Sequence, residues 1–265
     1  MIAPPLPAQV DRGWSVRRAG GAGATVVWVH GLGELADTFG AVIATAPLAD
    51  LAHVLIDLPG HGGARALEAA SAAAWASPPS IAATAALLAE WLAPLAPVVV
   101  IGHSLGGVIA TVLAEQAPGL VRRVIDVDGN VALPDCTYSS QMAAYPLAEF
   151  VAHGHAEVCG RVAAHADPIV AGYGQRMATA APAQLWRYAA DLVAWSQPED
   201  SARRRAALAV PLTYVAGHPG GASPRSRALL AEAGVARVDV GPAGHWPFLD
   251  QPAQFAAAVA AAIAA

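Results

Sequence analysis

The apolar and polar positions of the chain alternate between short and long segments. Six short runs rich in Val and Ile begin with apolar residues and end in Gly, Asp, His or Ser. Continuous apolar runs of this length are typical of strands that are buried on both faces, as in a parallel sheet. The pattern therefore predicts strands within residues 25–31, 53–62, 97–104, 121–130, 210–218 and 236–245.

Longer segments with helical spacing lie between most of these runs. Strands that alternate with helices favour an α/β fold, in which a mostly parallel central sheet is flanked by helices and the crossovers are right-handed. The predicted helices cover residues 36–46, 80–93, 105–117, 224–233 and 251–263.

One region departs from this alternation. Residues 131–205 contain no buried strand pattern but many aromatic residues, some of them at helical spacing. The region is too long for a structureless loop of a compact domain. We therefore expect a helical cap at 131–205, inserted into a core formed by residues 1–130 and 206–265.

Composition and charge exclude several kinds of partner. Of the 265 residues, 55% are hydrophobic and 13% charged, and the net charge is −5. A sizeable core is therefore expected, and nucleic acid is not expected as a partner. No apolar segment long enough for a membrane helix and no signal peptide are evident, so a cytoplasmic protein is expected. The basic run 203–205 is interpreted as a solvated helix face.

The stretch VVVIGHSLGG carries the clearest chemical motif. Gly102, Ser104 and Gly106 fit the pattern G-x-S-x-G between a predicted strand and a predicted helix, the context in which the motif forms a nucleophile turn. The glycines allow a tight turn that raises the Ser104 hydroxyl above the sheet. The Leu105 amide opens the helix, where N–H groups can stabilise a developing oxyanion.

A serine nucleophile needs a general base. His245, in GPAGHWPFLDQP, follows the last predicted strand, and its neighbours Gly244 and Trp246–Pro247 indicate a loop that holds the imidazole above the sheet. We therefore predict that His245 takes the proton of Ser104.

Four motifs together resemble the α/β-hydrolase family: VHGLGE at 29–34, DLPGHG at 57–62, GHSLGG at 102–107 and GHWPFLDQP at 244–252. The resemblance runs from about residue 25 to the end and is weakest in the cap. It implies the α/β-hydrolase fold and a serine hydrolase or esterase. It also implies that the Leu32 amide is the second oxyanion donor and that the DLPGHG turn supports the fold.

The acid of the expected triad is not at its common family position. The segment YVAGHPGGASPRS, which follows the strand at 210–218, has His218 but no carboxylate. A second family arrangement places the acid after the strand that follows the nucleophile helix, where VIDVDGN offers two candidates. We predict Asp128, with Asp126 and Asp135 as alternatives, and expect a hydrogen bond between its carboxylate and the His245 ring.

The motifs predict a serine hydrolase that cleaves a carboxylic ester or lactone through Ser104, His245 and Asp128, with Leu32 and Leu105 as oxyanion donors. A small ester, lactone or thioester is the expected partner, and neither a metal nor an organic cofactor is implied. An acyl-thioester hydrolase, a C–C bond hydrolase or lyase, and a non-catalytic binding protein on the same fold are the alternatives. The chain carries no signal of an oligomeric state.

Overall fold

The computed structural model describes residues 6–65 and 78–265. Its centre is an eight-stranded sheet with the order β1-β2-β4-β3-β5-β6-β7-β8. The strands from β3 to β8 are parallel, whereas β2 pairs antiparallel with β1 and β4. The strands are β1 Gln9–Asp11, β2 Trp14–Gly20, β3 Thr25–Val29, β4 Ala52–Asp57, β5 Val98–His103, β6 Val121–Val127, β7 Leu212–Pro219 and β8 Arg237–Ala243.

Helices cover both faces of the sheet and fill the region between β6 and β7. A π-helical turn, Phe150–Gly154, joins two of them. The α-helices are α1 Gly40–Ile43, α2 Ile81–Leu92, α3 Leu105–Gln116, α4 Thr137–Ala143, α5 Leu147–Glu149, α6 His155–Ala163, α7 Pro168–Met177, α8 Pro182–Ser196, α9 Ser201–Ala206, α10 Pro224–Glu232, α11 Pro247–Asp250 and α12 Pro252–Ala264.

All six predicted strands are present, and the α/β prediction is confirmed. The central strand β5 is buried along its whole length, as its run of Val and Ile residues predicts. The sequence pattern did not reveal the antiparallel strands β1 and β2. The predicted helix at 36–46 is shorter and less regular than expected: a 3-10 turn, Ala36–Phe39, leads into the four residues of α1, and the helical stretch ends at Ile43.

The region between β6 and β7 is helical from α4 to α9, as its lack of strand patterns predicts. The basic run within α9 corrects the sequence interpretation. Arg203 is exposed, but Arg205 is fully buried in an ion pair with Asp126. Arg204 pairs with Glu115 and lies over the Trp195 ring. The interpretation as a solvated face rested on the charge of the run alone. It missed that Asp126, a buried carboxylate on β6, is the partner of Arg205.

Parallel strands bring their carboxyl ends to one edge of the sheet, where α/β proteins bind ligands. Ser104 follows β5, Asp128 follows β6, Gly220 and Gly221 follow β7, and His245 follows β8. Within the described residues, no helix combines the length and apolar character needed to cross a membrane.

Candidate active site

A cavity of about 340 Å³ opens at this edge of the sheet. Ser104, His245, Asp128 and Leu32 all line it, so the fold brings four of the five predicted site residues together. Leu105 lies directly behind Ser104 with its side chain fully buried. The helical region completes the wall with Tyr138, Asp167, Ile169, Val170, Tyr173 and Leu192.

Ser104 occupies the tight turn that the motif predicts. Its φ of 53° and ψ of −116° place a non-glycine residue in a backbone conformation that L-residues rarely adopt. A Cβ at Gly102 would collide with the Gly106 carbonyl, and a Cβ at Gly106 would collide with the Val29 carbonyl. The glycines therefore allow α3 to pack tightly behind the serine.

Two backbone amides beside the serine are free to bind a ligand oxygen. Among the described residues, neither the Leu32 nor the Leu105 N–H donates a hydrogen bond. The Leu105 amide opens α3, and the Leu32 amide belongs to the loop after β3. Free N–H groups at such a position can stabilise an oxyanion.

Two buried histidines hold the loop that carries Leu32. His30 Nδ1 lies 2.8 Å from the Gly31 carbonyl oxygen, and the Leu58 amide donates to His30 Nε2. His61 accepts from the Gly33 amide at 3.1 Å, and its Nδ1 lies 2.8 Å from the Pro59 carbonyl oxygen. Burial lowers the pKa of both rings, that of His61 to about 3, so both are neutral and can accept an N–H bond.

His245 lies in the cavity wall above a second histidine. The centroids of the His245 and His103 rings are 4.8 Å apart, and His103 Nε2 lies 2.8 Å from the His245 carbonyl oxygen. Burial lowers the pKa of His245, while the charges of Asp135 and Glu34 raise it. A lowered pKa keeps the imidazole neutral, the form a general base requires.

Asp128 sits in a cradle of backbone amides. Its carboxylate accepts hydrogen bonds from the Gly217 amide at 2.9 Å and the Ala222 amide at 2.8 Å. Burial raises the pKa of Asp128 well above its usual value, and the two amides oppose that shift. Like Ser104, Asp128 has a positive φ, here 47°. Strain at a polar residue beside a cavity is a recurring feature of functional sites.

The cradle explains the empty acid position after β7. A Cβ at Gly221 would lie 2.5 Å from Asp128 Oδ1, and one at Gly217 would collide with the Gly244 carbonyl. Gly221 leaves room for the Asp128 carboxylate, and Gly217 lets the end of β7 pack closely against Gly244, while His218 is exposed.

The two alternative acids have other partners. Asp126 is fully buried, pairs with Arg205 at 2.7 Å and accepts the Gly129 amide. Asp126 does not line the cavity, whereas Asp135 does. The Asp135 carboxylate accepts hydrogen bonds from the backbone amides of Val131, Ala132 and Ser223 and from the Ser226 hydroxyl.

The expected hydrogen bond between Asp128 and His245 is not formed in this structure. The His245 ring forms no hydrogen bond to any described residue, and the Ser104 hydroxyl lies 3.5 Å from Asn130 Oδ1. Catalytic hydrogen bonds are often long in ligand-free enzymes and shorten when substrate binds. The roles assigned to these residues therefore stay predictions.

Asn130 and Glu34 are site residues that sequence reasoning did not single out, although both belong to quoted motifs. The Asn130 side-chain amide donates to the Asp135 backbone carbonyl, and the backbone carbonyl of Asn130 accepts from the Trp195 indole and the Arg205 guanidinium. Glu34, 2% exposed, accepts from Arg176 and from the Trp246 indole. A sequence shows the residue type, but these partners come from distant helices.

No group of three or more His, Cys, Asp or Glu side chains in residues 6–65 and 78–265 could hold a metal ion. Cys136 and Cys159 are buried free thiols.

Comparison with known proteins agrees with this geometry. A family model described as the alpha/beta hydrolase family matches residues 26–258. The chain therefore belongs to the alpha/beta hydrolase family, which confirms the resemblance drawn from its four motifs.

One relative and two solved structures illustrate the likeness. An esterase of Mycobacterium tuberculosis is 39% identical over 128 residues, and this match covers 47% of this chain and 40% of that esterase. A hydrolase from Pseudomonas aeruginosa superposes with a TM-score of 0.73 at 20% identity, covering 99% of this chain and 100% of that one. The N-acyl homoserine lactonase AidH gives 0.70 at 18% identity, covering 97% and 96%. The two structures share the fold of this chain.

Proposed function

We propose that this protein is a serine hydrolase that cleaves a small carboxylic ester or lactone. The observation that carries the proposal is Ser104: a strained serine at a strand–helix turn, lining a cavity beside two backbone amides that have no partner among the described residues. Similarity to proteins described as an esterase and a lactonase supports this substrate class.

In the proposed mechanism, the Ser104 hydroxyl attacks the substrate carbonyl while His245 takes its proton. The Leu32 and Leu105 amides donate to the oxyanion, and each such donor is worth about 10²–10³ in rate. The imidazolium then protonates the leaving alcohol. Water, activated by His245, releases the acid and restores Ser104.

Asp128 is the proposed partner of the imidazolium. Gly217 donates to the Asp128 carboxylate and packs against Gly244, the residue before His245. A shift of the His245 loop on substrate binding would bring its ring to this carboxylate, which would then fix the tautomer and stabilise the charged ring.

The helical region at 131–205 is proposed to act as a cap that selects the substrate. Its support is the cavity wall, to which this region contributes the aromatic and aliphatic side chains of Tyr138, Tyr173, Ile169, Val170 and Leu192.

Active-site labelling tests the proposal directly. A fluorophosphonate probe should label the wild-type protein and not Ser104→Ala, and the variant should lose turnover of p-nitrophenyl esters while keeping its thermal midpoint. Probe labelling without turnover of any ester, lactone or thioester would contradict the substrate class. Absence of labelling in folded protein would contradict the serine mechanism and favour a binding protein on this fold.

A further inference from the structure

The cavity wall contains an enclosed tyrosine that the proposed chemistry does not use. Tyr173 of α7 lines the cavity and is 5% exposed. Its ring packs against Trp246 with centroids 5.2 Å apart, and the Trp246 ring contacts His245 at the same centroid distance. Tyr173 is thus separated from the candidate base by a single indole.

The Tyr173 hydroxyl has no hydrogen-bond partner among the described residues. The Tyr173 oxygen is not among the completely enclosed side-chain atoms without a hydrogen bond in that part of the chain, and Tyr173 lines the cavity.

The hydroxyl is set to donate a hydrogen bond. Burial and the nearby Glu34 raise the pKa of Tyr173 well above its usual value, so the oxygen keeps its proton. Buried tyrosine hydroxyls normally have a partner. A ligand atom that accepts a hydrogen bond would supply one here.

The charge of the cavity restricts what that ligand atom can be. Among the described residues, five carboxyl groups line the cavity, from Glu34, Asp128, Asp135, Asp167 and Asp250, whereas no arginine lines it. Arg176 compensates Glu34, and burial raises the pKa of Asp128. In that part of the chain no cation pairs with Asp135, Asp167 or Asp250, so an anionic acceptor would still meet net repulsion. A neutral carbonyl or ether oxygen avoids that cost and suits the apolar walls formed by Ile169, Val170 and Leu192.

We propose that Tyr173 determines specificity by donating a hydrogen bond to a neutral oxygen of the substrate, separate from the ester group under attack, and that the cavity rejects a carboxylate there. This inference rests on the proposed hydrolase function. It defines the substrate class as neutral oxo- or alkoxy-substituted esters and lactones of a size that fits a cavity of about 340 Å³.

Substrates of matched shape test the proposal, with the neutral oxygen placed first in the acyl group and then in the alcohol group of the ester. On the acyl side, p-nitrophenyl 4-oxopentanoate is compared with p-nitrophenyl pentanoate and with the p-nitrophenyl monoester of succinate, which carries a carboxylate in place of the ketone. On the alcohol side, 4-oxopentyl acetate is compared with pentyl acetate. In at least one series, kcat/KM of the ketone should exceed that of the alkyl ester by about 3- to 10-fold, the worth of one neutral hydrogen bond. The succinate monoester should be the poorest acyl substrate.

Tyr173→Phe keeps the ring contacts and removes the hydroxyl, so it should bring the ketone-to-alkyl ratio to about 1. Tyr145→Phe is the matched control. It removes a hydroxyl of the same helical region that bonds to Glu157 and does not line the cavity, and it should leave the ratio unchanged.

The outcomes separate this inference from the function on which it rests. Equal kcat/KM for ketone and alkyl esters in both series of the wild-type protein would overturn the role of Tyr173 and leave the hydrolase intact. A ratio that survives in Tyr173→Phe, or rapid cleavage of the succinate monoester, would also overturn it. Failure to cleave any ester would contradict the proposed function itself.

Discussion

Arg176 and Glu34 form a two-pronged ion pair, with Arg176 Nε 2.6 Å and Nη2 3.1 Å from the two carboxylate oxygens of Glu34. The same carboxylate accepts the Trp246 indole N–H at 2.8 Å. Glu34 lies two residues after Leu32, Trp246 follows His245, and Arg176 belongs to α7. One carboxylate thus links the loop of Leu32, the loop of His245 and the helical region between β6 and β7.

Breaking this link should impair turnover. Arg176→Met leaves a buried carboxylate without its cation, so we expect Glu34 and the Leu32 loop to shift. A displacement of about 1 Å can cost on the order of 100-fold in rate, and kcat/KM should fall by 10- to 100-fold.

Arg204→Met is the matched control, because it removes an exposed arginine that pairs with Glu115 outside the cavity. Its activity should be unchanged and its stability should change by less than about 1 kcal/mol. Equal losses of kcat/KM in the two variants, measured on one ester, would argue against a specific role for the Arg176–Glu34 pair.

Two carboxylates at the end of β6, Asp126 in the strand and Asp128 directly after it, should respond differently to the same substitution. Asp128→Asn should keep the fold and lower kcat by about 10⁴, because an amide favours the wrong tautomer of the histidine. Asp126→Asn should leave Arg205 buried without a counter-charge and lower the free energy of unfolding by about 3–5 kcal/mol. Steady-state kinetics and urea denaturation of both variants distinguish these outcomes. A large loss of kcat in folded Asp126→Asn, with Asp128→Asn active, would reverse the assignment.

The cradle around Asp128 predicts the effect of a single methyl group. In Gly221→Ala the added Cβ would lie 2.5 Å from Asp128 Oδ1, so the carboxylate must move and kcat should fall. Gly160→Ala in α6 is the control, since nothing lies within 4 Å of its added Cβ. This control should keep full activity and gain about 1 kcal/mol in stability, because alanine favours a helix over glycine. Unchanged kcat in Gly221→Ala would contradict a catalytic Asp128.

His30 and His61, which hold the loop of Leu32, are neutral in the folded protein. We therefore expect acid to lower the stability of the fold. The pKa of His61 is lowered to about 3, whereas in the unfolded chain an imidazole titrates near 6.5. Between these values the unfolded state binds the proton and the folded state does not, so the free energy of unfolding falls as the pH is lowered through this range. From pH 7 to pH 5, His61 alone should account for about 2 kcal/mol.

Urea denaturation at both pH values measures this loss. His61→Gln should show a weaker pH dependence than the wild-type protein, whereas a substitution of the exposed His218 should leave the dependence as it was. A His61→Gln variant with the full wild-type pH dependence would exclude His61 as its source.

The parts of the fold that follow from the sequence are those with strong local signals. The Val- and Ile-rich run before Ser104 predicts β5, and the glycines around the serine predict its turn. Strands β1 and β2 lack such a run, and β2 turns its last residues to the surface. Contacts between residues far apart in the sequence explain the other differences between prediction and structure. Arg205 is buried because Asp126 pairs with it. Glu34 is a site residue because it pairs with Arg176, 142 residues away.

The end of β7 and the loop after it contact Asp128 through the main-chain N–H groups of Gly217 and Ala222, and His218 and Pro219 are exposed. The five consecutive positions 217–221 should therefore differ in how well they tolerate substitution. Positions 218 and 219 are open to exchange, whereas 217 and 221 admit no Cβ. A carboxylate substituted at position 218 would stand at an exposed position, so an acid there could serve the cavity only if this segment folded differently.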